Sequence, residues 1–174
     1  LAAIMNQTDE FILDALREQG LVTDELIAET NASVEALQEE PVGGKELAFM
    51  DGLLAKIGLA EEEIVNFLAG ELSMEAIDLS EINPTEDVLN LLTPELARKY
   101  EAFPVGVSGA EIEIVFGNPL DENVQSDLEF HLKKSVNPKV AYRGAVLQGI
   151  DEAYGSAEDR KMHDFFEDMN EDEL

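Results

Sequence analysis

The sequence predicts an α+β fold: an N-terminal four-helix lobe of two repeated helical hairpins, followed by a small α/β sandwich with a mixed sheet. Three observations predict it. Apolar residues recur at helical spacing up to Leu72, and strand-like segments begin only after it. Two stretches of the helical part match at a constant offset of 38 residues, with Phe11 falling on Phe49. Beyond Leu72, cap and turn signals punctuate short segments in the order β-α-α-β-β-α-β-α, the pattern of helices over a small sheet.

In the first part, Leu13, Leu16, Gly20 and Leu21 carry an i, i+3, i+7, i+8 pattern. Thr23, with acids behind it, is an N-cap signal for a second helix carrying Leu26, Ile27, Val34 and Leu37. Pro41-Val42-Gly43-Gly44 stops it. A third helix carries Leu47, Met50, Leu53, Leu54 and Ile57, and Gly58 ends it. Glu61, Glu62 and Glu63 favour the first turn of a fourth, whose apolar residues are Ile64, Val65, Phe67, Leu68 and Leu72. At the 38-residue offset Phe11/Phe49, Leu16/Leu54, Gly20/Gly58, Leu21/Leu59 and Glu25/Glu63 are identical. Each unit reads helix, Gly-Leu turn, acidic N-terminus, helix, and two such hairpins bury their apolar faces on each other.

After Leu72, the segment 76–79 reads as a short edge strand ending at Ser80. Asn83-Pro84-Thr85 opens a short helix, and Thr93 with Pro94 opens the next. Residues 102–107 and 111–116 form a hairpin about Ser108-Gly109, with Ile112 and Ile114 on one face. Gly117-Asn118-Pro119 breaks it; a helix over 122–134, a strand over 139–142 and a helix over 145–154 complete the sandwich, with Gly155 as the final cap. The expected units are therefore 1–72, 73–155 and an acidic linker or tail at 156–174. A rival reading of the tail is an amphipathic helix that waits for a basic groove.

Composition excludes several classes. The 174 residues hold 39 acidic and 11 basic side chains, a net charge of −28. Nucleic-acid binding runs on clustered Lys and Arg, so a phosphate-backbone reader is excluded, and direct docking on an anionic leaflet is disfavoured. With no cysteine, there is no disulfide, thiolate nucleophile or Cys-bound metal. No run approaches the roughly 20 apolar residues that span a membrane. The chain starts at Leu1 without a basic signal-peptide region, which points equally to a fragment of a longer chain and to N-terminal processing.

No catalytic motif emerges. Gly43-Gly44-Lys45-Glu46 lacks both the spaced glycine and the Ser or Thr of a P-loop. His131, between Phe130 and Leu132, reads as a packing or dipole residue, and His163 has no metal-ligating partner at i+4. Carboxylates are so numerous that no pair stands out. The expectation is no catalytic residue, no metal and no cofactor. The binding candidates are the two turns of the repeat, Gly20-Leu21-Val22 and Gly58-Leu59-Ala60, whose short apolar residues at equivalent ends could form a shallow groove. The alternative is that Leu21 and Leu59 simply close the hairpin cores.

The second part resembles a known family. Ile77-Asp78-Leu79-Ser80, Pro94-Glu95-Leu96-Ala97-Arg98-Lys99-Tyr100, Phe103-Pro104-Val105-Gly106-Val107, Gly117-Asn118-Pro119-Leu120-Asp121 and the ending 150–155 look, in that order, like the N-terminal domain of type II secretion and type IV pilus assembly ATPases. Asn118 stands where that family has Asp. The tandem repeat is similar to the paired helical motifs that bind cyclic di-GMP in some of these ATPases. Its Gly-Leu centres match, but Phe11 and Phe49 stand at the motif's Arg positions, Leu13 and Asp51 at its Gly positions, and Ser33 and Glu71 at its terminal Gln positions.

What the resemblance implies is a non-catalytic docking and regulatory domain of a secretion or pilus ATPase. It would bind an inner-membrane platform or motor component, work in the cytoplasm and reach the membrane only through that protein, with the ATPase domain following in sequence. The departures at Phe11 and Phe49, with the net charge, make cyclic di-GMP an expected weak ligand or none. The alternative is a cyclic di-GMP receptor with degenerate repeats. A third reading is an acidic mimic on a borrowed fold, and salt adaptation is another source of the acidity.

Overall fold

The structure is a computed structural model and describes residues 5–41 and 43–155. The expectations for 156–174, including His163, lie outside the described residues. Four helices come first: α1 (Gln7–Glu18), α2 (Asp24–Glu35), α3 (Gly44–Ile57) and α4 (Glu61–Leu72). Their ends follow from local chemistry. The Asn6 side chain accepts from Asp9 N at 2.8 Å, and Thr23 Oγ1 accepts from Leu26 N at 3.2 Å. Gly58 ends α3 at φ 70°, where a Cβ would be strained.

The second part runs β1 (Glu75–Ala76), a 3-10 turn (Leu79–Glu81), α5 (Glu86–Leu89), α6 (Pro94–Tyr100), β2 (Ala102–Ser108), β3 (Glu111–Phe116), α7 (Glu122–Leu132), β4 (Ser135–Val140) and α8 (Arg143–Tyr154). The sheet order is β1-β4-β3-β2, with β1 and β3 parallel to β4 and β2 antiparallel to β3, so the sheet is mixed. No described helix is long and apolar enough to cross a membrane.

Two strands differ from the sequence expectation. The strand read over 76–79 is only Glu75–Ala76, because the Asp78 carboxylate accepts from Ser80 N at 3.0 Å and from the Ser80 hydroxyl at 2.6 Å. That Asx turn curls the chain into the 3-10 turn instead of along the sheet. At the other site, Asn137-Pro138 reads as a breaker yet lies inside β4. Ile77 N donates to Val140 O at 2.9 Å, so residues of that parity, Pro138 among them, turn their backbone groups toward the β1 side. β1 pairs only Lys139 and Val140, so nothing there asks Pro138 for an N–H. The helix before β4 stops at Leu132 rather than Lys134, with Lys133 in the left-handed region at φ 54°.

Two apolar clusters fill the interior. One gathers Leu13, Leu16, Phe49, Leu53, Ile64 and Leu68 from α1, α3 and α4, and includes Val140 of β4. The other gathers Leu92, Phe103, Ile112, Ile114, Leu128, Val146 and Ile150 around the sheet. Val140 and Tyr142, at the end of β4, thus carry the sheet into the helical cluster.

Candidate functional site

The two Gly-Leu turns are built alike. Leu21 N donates to Leu16 O at 3.0 Å, and Leu59 N donates to Leu54 O at 3.0 Å. Gly20 and Gly58 close these turns at φ 75° and φ 70°, and no atom lies within 4 Å of where a Cβ would stand. This is the hydrogen-bonded helix ending that wants a left-handed residue, made twice by the same residues. The aromatic rings of Phe11 and Phe67 stack across the two hairpins, 5.7 Å apart at 16°.

That packing brings Leu21 and Leu59 to one cleft of about 130 Å³, with Leu16, Gln19, Glu63 and Phe67 among its walls. Leu21 is 44% exposed. Val22, by contrast, is buried in the core. Ala60 is exposed at the start of α4, and its N–H donates to Glu63 Oε2 at 2.9 Å. Of the six candidates, then, the structure brings Gly20, Leu21, Gly58 and Leu59 to the cleft region, seats Val22 in the core, and leaves Ala60 as a helix start. Two cations that the sequence reading passed over, Arg17 in the last turn of α1 and Lys56 in the last turn of α3, belong to the helices that lead into the two Gly-Leu turns; neither lines the cleft, whose one charged lining residue is Glu63. Among the described residues, the ion pair of Arg17 is with Asp24, at 3.1 Å on the surface.

A second constellation, also missed, joins the helices to the sheet. Arg143, the first residue of α8, sends Nε and Nη2 to the two carboxylate oxygens of Glu101 at 2.9 and 2.7 Å. Its Nη1 lies 3.4 Å from Asp9 Oδ2 and 3.6 Å from Glu46 Oε2. The Tyr142 hydroxyl donates to the Asp51 carboxylate. Thr8 Oγ1 donates to Asn118 Oδ1 at 2.6 Å and accepts from Leu120 N at 3.3 Å. Burial, opposed by Arg143, pushes the Asp9 carboxyl up to about 6. Burial and Asp51 push the Tyr142 phenol upward, so its hydroxyl stays a donor.

Two larger cavities flank the sheet. One of about 390 Å³ is lined by Glu61, Glu62, Asp78 and Tyr142, and one of about 400 Å³ by Met74, Phe116, Asp121, Glu122 and Glu129. No cation lines either, so neither suits an anion. Among the described residues no group of three His, Cys, Asp or Glu is placed to hold a metal ion.

Comparison with known proteins places this arrangement. The MshEN domain model matches residues 72–160. A structure of MshE with cyclic di-GMP is 26% identical, covers 80% of this chain and 95% of its own, and superposes with a TM-score of 0.53. The N-terminal domain of XpsE, 20% identical, shares the fold with a TM-score of 0.53 over 86% of this chain and 97% of its own. The type IV pilus assembly ATPase PilB of Myxococcus xanthus is 25% identical over 120 residues, 68% of this chain; the chain spans only 21% of that relative's length. These matches are to the N-terminal region of secretion and pilus ATPases, not to the catalytic domain.

The MshE likeness overturns one expectation. Phe11 and Phe49 in place of the motif's Arg predict weak cyclic di-GMP binding or none, yet MshE, which shares this fold, is solved with that dinucleotide. The physical reason lies in where charge was sought. Phe11 and Phe49 are packing residues here, one stacked on Phe67 and the other 2% exposed. The positive charge near the repeat centres sits instead on Arg17 and Lys56.

Proposed function

The chain belongs to the MshEN domain family, and from that premise we propose that it is the ligand-responsive domain of a secretion or pilus assembly ATPase, with cyclic di-GMP as the ligand. The observation that carries this reading is the likeness to MshE with cyclic di-GMP across nearly the whole of that chain. In this reading residues 1–72 form the receptor unit and residues 73–155 the unit that passes occupancy on.

The cleft between the repeats has the required chemistry. Leu21 and Leu59 offer an apolar floor for guanine faces, and the glycines before them keep the approach open. Arg17 and Lys56, in the last turns of the helices that lead into the two Gly-Leu turns, are the cations this reading assigns to the phosphodiesters. Recruiting Arg17 costs little, because an exposed pair such as Arg17–Asp24 contributes about 0–1 kcal/mol. At about 130 Å³ the cleft is smaller than the ~300–1,000 Å³ of enclosed ligand pockets, so the dinucleotide lies across it rather than inside it.

Titration calorimetry of the 174-residue chain with cyclic di-GMP tests this. Saturable binding in the micromolar range or tighter is expected, with none for GMP. A charge-assisted hydrogen bond contributes roughly 1.5–3 kcal/mol, so the double change Arg17→Ala, Lys56→Ala weakens binding at least ~10-fold. Binding no tighter than that of GMP, or unchanged in the double variant, contradicts the reading.

A second reading has one specific support, the net charge of −28. In it the acidic surface docks on a basic face of a membrane-platform or motor component, steered by long-range attraction.

A further inference from the structure

The cations of this acidic chain are unevenly placed. Nine Lys and Arg lie among the described residues, and five of them, Arg17, Lys45, Arg98, Lys139 and Arg143, pair with a carboxylate. Lys56, Lys99, Lys133 and Lys134 make no ion pair among the described residues. Three of these four gather where the ends of α6 and α7 meet. Lys99 Nζ lies 5.1 Å from the centroid of the Tyr100 ring. That ring lies 6.4 Å from His131, which meets Phe130 edge-on at 6.0 Å. Lys133 and Lys134 follow directly after the last residue of α7 and are exposed.

Phe130 is 81% exposed, more than any other large hydrophobic side chain described. Alone, an exposed ring means little. Here it is one of three neighbouring rings, on a helix end followed by Lys133 and Lys134, in a molecule where five of the nine described cations pair with a carboxylate. Glu129, the nearest acid in sequence, is already engaged: its Oε1 accepts from Val136 N at 3.1 Å and from Gln125 at 3.4 Å. Those donors are neutral, so Glu129 stays anionic, and the three lysines still outnumber it.

We propose that the α6–α7 face centred on Phe130 is a docking surface for an acidic polypeptide segment of a partner protein that carries an aromatic side chain. Charge complementarity chooses this occupant. Basic partners are drawn to the acidic surface elsewhere, whereas an acidic segment finds here three of the four lysines that make no ion pair among the described residues. The aromatic requirement follows from the rings: Phe130 and His131 offer stacking faces, and a partner ring on them lies beside lysines able to make cation–π contact. The remaining negative charge does not forbid the approach, because at ~0.15 M salt carboxylates more than about 8 Å away are largely screened. This surface lies apart from the repeat cleft and does not depend on the ligand proposed for it.

The test is a nuclear magnetic resonance titration of the isotope-labelled full chain, at 0.15 M salt, with a synthetic acidic peptide bearing one central Phe. Shifts are expected at Tyr100, Phe130, His131, Lys133 and Lys134. Phe130→Ser, the pair Lys133→Glu with Lys134→Glu, and a peptide with Phe replaced by Ser should each weaken binding at least ~5-fold. All the altered chain positions are exposed, and an unchanged circular dichroism melt confirms their folding. Shifts centred elsewhere, affinity unmoved by these changes, or binding to phosphatidylserine vesicles in place of the peptide would overturn the proposal. So would carbodiimide coupling of these lysines to the chain's own residues 158–174 that shuts the peptide out, since the occupant is then not a partner.

Discussion

One guanidinium, that of Arg143, faces the carboxylates of Asp9, Glu46 and Glu101, so the place where the helices meet the sheet carries more negative charge than it can pair. Asp9 bears the cost. Its carboxyl is held at about 6 against an ordinary 3.8, with burial the largest cause. A folded value above the unfolded one means that ionised Asp9 lowers stability above pH 6, and that protonation restores it as pH falls from about 6 toward 4. A gap of about two pH units corresponds to about 3 kcal/mol. Asp9→Asn is therefore expected to stabilise the protein by about 1–3 kcal/mol at pH 7.5 and to make little difference at pH 4. Paired urea denaturations of wild type and variant at the two pH values check this. A variant that is less stable at pH 7.5 means that Asp9 contributes more as Arg143's partner than its burial costs.

At the scale of elements, Arg143 is what ties the start of α8 to α1, to α3 and to the residue after α6. Removing one partner of a buried ionic cluster costs about 3–5 kcal/mol, because the carboxylates left behind stay buried. Arg143→Ala should lose that much by urea denaturation, and Arg143→Lys less, since it keeps the charge but not the two-pronged contact with Glu101. Loss below 1 kcal/mol for Arg143→Ala shows that water reaches the cluster and that the junction is held by packing and by the Thr8–Asn118 and Tyr142–Asp51 hydrogen bonds.

The elements themselves were unequally legible. Helical periodicity, the Thr23 and Thr93 caps and the Gly58 ending read directly from sequence, because each depends on residues a few positions apart. The repeat was legible for the same reason, and so were the turns that line the cleft. β4 was not, because a proline is admissible there only through the short reach of β1, a fact of pairing rather than of composition. The Arg143 cluster was hidden too: it joins residues 134 apart, and its three acids are three of 39. Arg17 and Lys56 were overlooked because the search for charge followed the motif's Arg positions, which in this chain hold Phe11 and Phe49.

The whole molecule combines a net charge of −28 with a proposed anionic ligand, and the two are compatible only if the ligand meets local cations. The larger cavities are lined by carboxylates and no cation; the cleft is lined by one carboxylate, Glu63, and Arg17 and Lys56 lie in the last turns of the helices that lead into it. For the second reading, steering by net charge predicts an association rate with the cytoplasmic part of a platform protein that falls at least ~10-fold between 50 and 500 mM salt, a range chosen to take the Debye length from about 13 Å to 4 Å. Stopped-flow mixing measures it, and a rate indifferent to salt removes that reading. The receptor claim is tested most directly by an amide ¹H–¹⁵N shift map of the full chain with saturating cyclic di-GMP. The account predicts that the largest shifts fall on Gly20, Leu21, Gly58 and Leu59, with smaller ones reaching the Arg143 junction at the far ends of α1 and α3. A map with no shifts, or with its largest shifts at the carboxylate-walled cavities, contradicts it.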